Sequence, residues 1–212
     1  MKPRLIEENA VIQDDRQPQD AQHQRQDSSM GMALGNAFDR PESSLYLGID
    51  PGLNRTGYAI IRRTPQRPLL VEGGVIKSTK DKTLAERVLE IGQGISEVIA
   101  EFEPEAVAIE QIFSMTRNPK TAVLMAHARG AILFAAAQAA IPIVHYTPRQ
   151  IKKLLSGNGA ASKEQVQHAV QRELGLKKIL EPNDVADASA IALCHYYSSR
   201  VDINVSQPCP VI

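Results

Sequence analysis

Two short apolar segments of the chain each end in an acidic residue. Residues 45–49 are followed by Asp50, and residues 106–109 are followed by Glu110. Short apolar runs of this kind are typical of buried strands in a sheet. Ligand sites of α/β sheets lie where the carboxyl ends of strands meet, so a carboxylate at each of these ends predicts a shared polar site. A charge at the end of such an apolar strand also needs a partner or a metal ion.

The rest of the pattern predicts one α/β domain, a sheet with helices on its faces. Three further strands and five helices are expected: strands over 58–62, 70–77 and 141–146, and helices over 84–102, 119–140, from Thr147, from Ser162 and over 184–197. The first three strands should form an antiparallel meander. Gln150 and Gln165 follow Thr147 and Ser162 at capping-box spacing, and Asn183 is the expected cap of the last helix.

Composition divides the chain into three parts. Residues 1–44 are rich in Gln and Asp and poor in large apolar side chains, which predicts a disordered extension. Residues 45–200 form the expected single domain, and residues 201–212 a flexible tail. The sequence has no run of about 20 apolar residues and no apolar core of a secretory signal. A soluble, cytoplasmic protein that does not enter a membrane is therefore expected.

The charge of the chain is unevenly distributed. The formal net charge is zero, but residues 149–178 carry a local excess of bases: Arg149, Lys152, Lys153, Lys163, Arg172, Lys177 and Lys178 against Glu164 and Glu173. Such an excess is typical of a phosphate-binding face, although a solvated helix surface has the same composition.

A second pair of acids lies on the last predicted helix. Asp184 and Asp187 are three residues apart, so they project from one helix face. With Asp50 and Glu110 they make four carboxylates on three elements. Oxygen ligands of this kind suit Mg²⁺ or Mn²⁺. Taken singly, Asp50 also fits a turn starter and Asp184 a first-turn acid that complements the helix dipole.

Five motifs in order resemble one known family. They are Leu47-Gly-Ile-Asp-Pro-Gly-Leu-Asn-Arg-Thr-Gly57, Ile109-Glu-Gln-Ile-Phe113, Ala128-Arg-Gly130, Ser162-Lys-Glu-Gln-Val-Gln-His168 and Asp184-Val-Ala-Asp-Ala-Ser-Ala190. Together they resemble the RuvC family of Holliday-junction resolvases, over about residues 45 to 200. The resemblance implies an RNase H-like fold with a mixed five-stranded sheet. It also implies a homodimeric crossover junction endodeoxyribonuclease, active in recombination and DNA repair, in which each subunit cuts one of two like strands.

The resemblance also implies roles for single residues. The family's four acids fall on Asp50, Glu110, Asp184 and Asp187, which would hold Mg²⁺, with Mn²⁺ as an alternative and two ions per site. Lys163 would stabilise charge on the scissile phosphate, and the cut would leave a 5′ phosphate and a 3′ hydroxyl. Phe113 would stack at the junction centre, and Arg149, Lys152 and Lys153 would contact the DNA backbone. Implied partners are a junction-binding protein and a branch-migration ATPase, of RuvA and RuvB type.

Three other interpretations fit parts of the sequence. Residues 50–57 also resemble the phosphate loop of actin-like ATPases, but about 160 ordered residues leave no room for the second lobe of such a phosphotransferase. A junction-binding module without catalysis would have no need of all four acids. Another nuclease of the same fold, acting on RNA–DNA hybrids or other branched DNA, would share the acids.

Overall fold

The computed structural model describes residues 44–111 and 119–199. Within them the chain forms five strands and five helices: β1 (Leu45–Asp50), β2 (Arg55–Arg62), β3 (Leu69–Lys77), α1 (Leu84–Phe102), β4 (Ala106–Glu110), α2 (Pro119–Gln138), β5 (Ile143–Tyr146), α3 (Pro148–Ser156), α4 (Lys163–Leu174) and α5 (Asn183–Ser198). The expected extension, apart from Ser44, and the expected tail lie outside the described residues.

The strands form one mixed sheet in the order β3-β2-β1-β4-β5. β1 pairs antiparallel with β2, and β2 pairs antiparallel with β3, so the predicted meander is confirmed. β4 adds to the other side of β1 in parallel, and β5 adds to β4 in parallel. The predicted α/β sheet with flanking helices is therefore confirmed, with β1 at its centre.

Strand alternation gives the sheet two apolar faces. On one face, Leu47, Ile49 and Ile109 belong to a core shared with α1 and α2. On the other, Ala59 and Ala108 belong to a core shared with α3, α4 and α5. Each fully buried isoleucine or leucine contributes about 1.5–3 kcal/mol to folding. The helix α5 lies directly on the sheet, where it contacts β1, β2, β3 and β4.

The close approach of α5 depends on a glycine in β1. A Cβ atom at Gly48 would lie 2.2 Å from the backbone oxygen of Ala188 and 2.6 Å from the backbone nitrogen of Ala192. Backbone atoms of a helix cannot move aside singly, so a side chain here would push the whole of α5 off the sheet. Gly48 therefore sets the distance between α5 and the ends of the central strands.

Gly48→Ala is expected to lower the free energy of unfolding by about 3 kcal/mol, because overpacking against helix backbone cannot relax locally. Urea denaturation would measure this. Gly92→Ala is the matched control, since its Cβ would meet Ala131 at an ordinary 3.5 Å inside α1. The control should gain up to about 1 kcal/mol from helix propensity. Equal stability of Gly48→Ala and the native protein would contradict the close packing.

Several element ends differ from the sequence prediction. β2 begins at Arg55, three residues before the predicted start, because it continues to pair with β3 up to Lys77. β5 begins at Ile143, because the amide of Ile141 still bonds the carbonyl of Ala136 and closes the end of α2.

Two predicted caps are confirmed and one is wrong. Thr147 and Ser162 each make a full capping box with the glutamine three residues on. Asn183 does not cap α5: it is the first residue of the helix, Pro182 is the N-cap, and no side chain caps this end. The Asn183 side chain instead accepts a hydrogen bond from Gln167 of α4 at 2.9 Å. No helix among the described residues is long and apolar enough to cross a membrane.

Candidate active site

Asp50 and Glu110 lie side by side at one edge of the sheet. Their predecessors Ile49 and Ile109 are partners in the parallel pairing of β1 with β4. The next residues therefore sit on neighbouring strands, about 4.8 Å apart along the hydrogen-bonding direction. Because Ile49 and Ile109 face α1 and α2, alternation turns both carboxylates toward α5. The predicted convergence of the two strand ends is confirmed.

α5 brings the second pair of acids to the same edge. Asp184 and Asp187 lie in its first turns, and the side chain of each is 28% exposed. Asp187 shares a cavity of about 310 Å³ with Asp50 and Glu110. Asp184 lies one helical turn earlier and is not among the residues that line this cavity.

Helices α3 and α4 supply the remaining walls of the cavity. Lys152 comes from α3, and Lys163 is the first residue of α4. Apolar side chains of the three helices complete the lining: Pro148, Ile151, Val166, Ala190 and Ile191. Two of the predicted basic residues thus meet three of the four predicted acids in one place.

The crowding of negative charge changes the titration of the strand-end acids. Burial, together with the charges of Asp187, Glu110 and Asp184, raises the pKa of Asp50 to about 7. Burial and Asp187 also raise the pKa of Glu110, and Lys152 opposes this shift. Ionised carboxylates repel one another in this site. Binding of a divalent cation would therefore be strongly favourable, because it offsets that repulsion.

The two acids of α5 already have basic partners. Lys163 Nζ donates to Asp187 Oδ2 at 2.7 Å, and this bond raises the pKa of Lys163. Arg55 Nε donates to Asp184 Oδ2 at 3.0 Å. Within residues 44–111 and 119–199, no three acidic, histidine or cysteine side chains are close enough together to hold a metal ion. The donor set fits a hard cation, since it is all carboxylate oxygen, and the cation would compete with the basic partners that hold Oδ2 of Asp184 and Oδ2 of Asp187.

Arg129 of α2 is a residue whose position the sequence did not explain. Its Nη1 donates to the backbone oxygen of Glu110 at 2.7 Å, and its Nη2 lies 2.7 Å from His145 Nδ1. Burial and the charge of Arg129 lower the pKa of His145, so a neutral imidazole accepts this bond. Arg129 therefore ties α2 to the ends of β4 and β5 and fixes the backbone at Glu110. Arg129 is the middle residue of the motif Ala128-Arg-Gly130, but the motif alone did not indicate its role.

The turn after Asp50 is also fixed by distant residues. Arg87 of α1 donates from Nε to Ser78 Oγ at 3.0 Å and from Nη2 to Asn54 Oδ1 at 2.5 Å. Thr56 Oγ1 donates to the Gly52 backbone oxygen at 2.8 Å. These bonds hold the loop that positions the carboxylate of Asp50.

The other predicted DNA contacts lie at different places. Arg149 and Lys153 are exposed on α3, beside the cavity but not in its lining, while Lys152 is half-buried within it. Phe113 lies outside the described residues.

A mixed five-stranded sheet of this order, with acids at the ends of two central strands and on the helix across them, defines an RNase H-like nuclease. The family model described as "Crossover junction endodeoxyribonuclease RuvC" matches residues 46–195. The chain belongs to the RuvC family, as its motifs predicted.

Known relatives agree with this assignment over most of their length. A Rhodopirellula baltica protein named "Crossover junction endodeoxyribonuclease RuvC" is 54% identical over 166 residues, which are 78% of this chain and 93% of the relative. Thermus thermophilus RuvC, solved in complex with Holliday junction substrate, is 38% identical with a TM-score of 0.70, covering 74% of this chain and 95% of that chain. The yeast mitochondrial Holliday junction resolvase Ydc2 is 16% identical with a TM-score of 0.57, covers 77% of this chain and 83% of that chain, and supports the fold alone.

Proposed function

We propose that this protein resolves four-way DNA junctions by hydrolysing one phosphodiester bond in each of two like strands, in homologous recombination and DNA repair. The observation that carries the proposal is the cavity that joins Asp50, Glu110 and Asp187 with Lys163. Clustered carboxylates beside a lysine fit the hydrolysis of a phosphate ester, in which negative charge grows on the phosphate oxygens. The solved complex of the Thermus thermophilus relative with a Holliday junction supports the choice of substrate.

Four acids would hold the metal in this proposal: Asp50, Glu110, Asp184 and Asp187. When bound, two Mg²⁺ ions, or Mn²⁺ in their place, supply activation of the attacking water and stabilisation of the leaving 3′ oxygen. Asp50 and Glu110 are fixed by the sheet, so they define the floor of the site. Asp184 and Asp187 are carried by α5, whose distance from the sheet is set by Gly48.

Lys163 and Lys152 would bind the scissile phosphate from the other side of the cavity. Lys163 is held at the start of α4 by the Ser162 capping box, and its amine already lies at Asp187. A phosphate oxygen in the cavity would be within reach of the same amine. The bond broken is the one between phosphorus and the 3′ oxygen, so the products are a 5′ phosphate and a 3′ hydroxyl. Arg149 and Lys153, exposed on α3, would bind the backbone beyond the cavity. Phe113 would stack on a base at the crossover.

Paired cleavage requires two active sites, and α2 offers a surface for a second copy. Val123 and Phe134 are 54% and 68% exposed on this helix. They lie on one stripe with exposed His127 and Gly130, at the spacing i, i+4, i+7 and i+11. This spacing is that of a helix–helix seam, and Gly130 would let two backbones come close. The proposal therefore includes a homodimer joined through α2, and cooperation with a junction-binding protein and a branch-migration ATPase.

Phe134→Glu is expected to weaken the dimer about a hundredfold, since it removes a large apolar contact and buries a charge. Sedimentation velocity over a range of protein concentrations would measure the dissociation. Leu154→Glu is the control, because Leu154 is 38% exposed on α3, across the sheet from α2. A Phe134→Glu protein that stays as dimeric as the control would contradict the α2 seam.

The proposed function is tested with end-labelled DNA. Four-way junctions, a matched linear duplex and an RNA–DNA hybrid are incubated with the full chain in Mg²⁺ or EDTA, beside an Asp187→Asn variant. Paired symmetric nicks in the junction alone, lost in EDTA and in the variant, are expected. Junction binding without cleavage in Mg²⁺ would leave only a binding module, and preferred cleavage of the hybrid would overturn the proposed substrate.

A further inference from the structure

The ion pair between Arg55 and Asp184 joins residues 129 positions apart. Both Nε and Nη2 of Arg55 lie 3.0 Å from the same oxygen, Asp184 Oδ2. Arg55 is the first residue of β2, directly after the turn that follows Asp50. Strand alternation places Arg55 and Gly57 on the face toward α5. A Cβ at Gly57 would lie 2.2 Å from the Asp184 backbone oxygen, so β2 and the first turn of α5 are in direct contact. The ion pair between Arg55 and Asp184 therefore results from the packing of β2 against α5.

The place of Arg55 differs from that of Lys163, the basic partner of the other acid on α5. Lys163 lines the cavity with Asp187, where it also faces the proposed phosphate. Arg55 is not among the residues that line the cavity, and its side chain is 42% exposed. It can therefore leave Asp184 for solvent without crossing the site. Its guanidinium occupies Oδ2 of Asp184, one of the two oxygens with which this carboxylate could bind a cation.

We propose that Arg55 is a positioning residue that competes with the metal ion for Asp184. It holds the Asp184 carboxylate beside the site in the metal-free protein and releases it when an ion binds. The inference rests on the proposed function, because it requires Asp184 to be a metal ligand. It also accounts for the arrangement in which three acids share a cavity while the fourth is bound outside its lining.

Removal of the competitor should tighten metal binding. In Arg55→Gln, the Mn²⁺ affinity of the full chain without DNA is expected to rise about two- to fivefold, the effect of losing one half-exposed ion pair. Free Mn²⁺ would be followed by electron paramagnetic resonance in about 0.1 M salt, where the screening length is about 10 Å. This readout needs no cleavage.

Arg62→Gln is the matched control for charge. Arg62 is the last residue of β2 and is exposed, so the variant loses the same charge on the same strand, about 23 Å from Arg55. Its Mn²⁺ affinity should stay that of the native protein. Arg55→Lys keeps the charge but has a single donor group, so its affinity should lie between those of the native protein and Arg55→Gln. Arg55→Lys also serves as the test variant if thermal melting shows that Arg55→Gln is unfolded.

A double-mutant cycle separates the ion pair from a general field effect. In an Asp184→Asn background, Arg55→Gln should leave Mn²⁺ affinity unchanged. The inference is overturned if Arg55→Gln binds Mn²⁺ no more tightly than the native protein, or if it gains equally in the Asp184→Asn background. Absence of Mn²⁺ binding by the native protein would also overturn this inference, whereas the metal dependence of the proposed function is tested separately by junction cleavage in Mg²⁺ or EDTA.

Discussion

Asp50→Asn is expected to abolish junction cleavage and, at the same time, to stabilise the metal-free protein. Loss of one acid from the centre of the site should lower the cleavage rate about a thousandfold or more. The gain in stability has a separate origin. The pKa of Asp50 is raised from its ordinary value of 3.8 to about 7 by burial and by the neighbouring acids, so ionisation of this carboxyl group destabilises the folded state.

The sign of the pH dependence follows from this shift. Between about pH 4 and pH 7 the folded protein holds a proton on Asp50 that the unfolded chain has lost, so stability falls as the pH rises through this window. Above pH 7 the ionised Asp50 lowers the free energy of unfolding by its full amount, up to about 4 kcal/mol for a pKa shift of this size. In Asp50→Asn the side chain is a neutral amide, so this loss of stability is absent.

Thermal melting in EDTA at a series of pH values would measure the effect. Asp50→Asn should melt about 5 °C or more above the native protein at pH 8 and close to it at pH 4. Asp184→Asn is the control, because it removes the partner of Arg55 and only the smallest of the three neighbouring charges that raise the pKa of Asp50, so it should bring a smaller gain. Mg²⁺ should raise the melting temperature of the native protein more than that of Asp50→Asn. If Asp50→Asn melted below the native protein at pH 8, ionised Asp50 would not destabilise the folded protein, and the explanation by burial and charge repulsion would be wrong.

Lys163→Ala is expected to lower the single-turnover cleavage rate by about 100- to 1000-fold, with junction affinity changed only a few-fold. Its amine lies at Asp187 in the cavity, so it acts where charge grows on the phosphate and contributes mainly in the transition state. Single-turnover rates in Mg²⁺ and junction affinity in EDTA would separate the two effects.

Lys153→Ala is the matched control for Lys163→Ala. Lys153 is exposed on α3, outside the lining of the cavity. Its loss should weaken binding and reduce the salt dependence of affinity by about one phosphate contact, while the rate on bound junction is kept. If Lys163→Ala behaved in the same way, Lys163 would be a backbone contact and not a residue that stabilises the reaction.

Local signals were sufficient for much of the fold. The strands that end in Asp50 and Glu110 were evident from apolar runs, and the capping boxes at Thr147 and Ser162 are complete within four residues. The start of α5 was misplaced because Asn183 has the residue type of a cap, whereas its side chain bonds to Gln167 on another helix. A hydrogen bond to a residue of another helix cannot be recognised from the sequence around Asn183 alone.

The sequence by itself determined the five strands and their antiparallel meander, the two acids at strand ends and, through five motifs, the family. Only the tertiary structure decided how the acids are partnered: Lys163 with Asp187, Arg55 with Asp184, and Arg129 at the backbone of Glu110. Periodicity and caps arise from neighbours along the chain, so they can be recognised in a window of residues. Ion pairs and the pKa of Asp50 arise from distances between elements, which are set by packing such as that of α5 on Gly48.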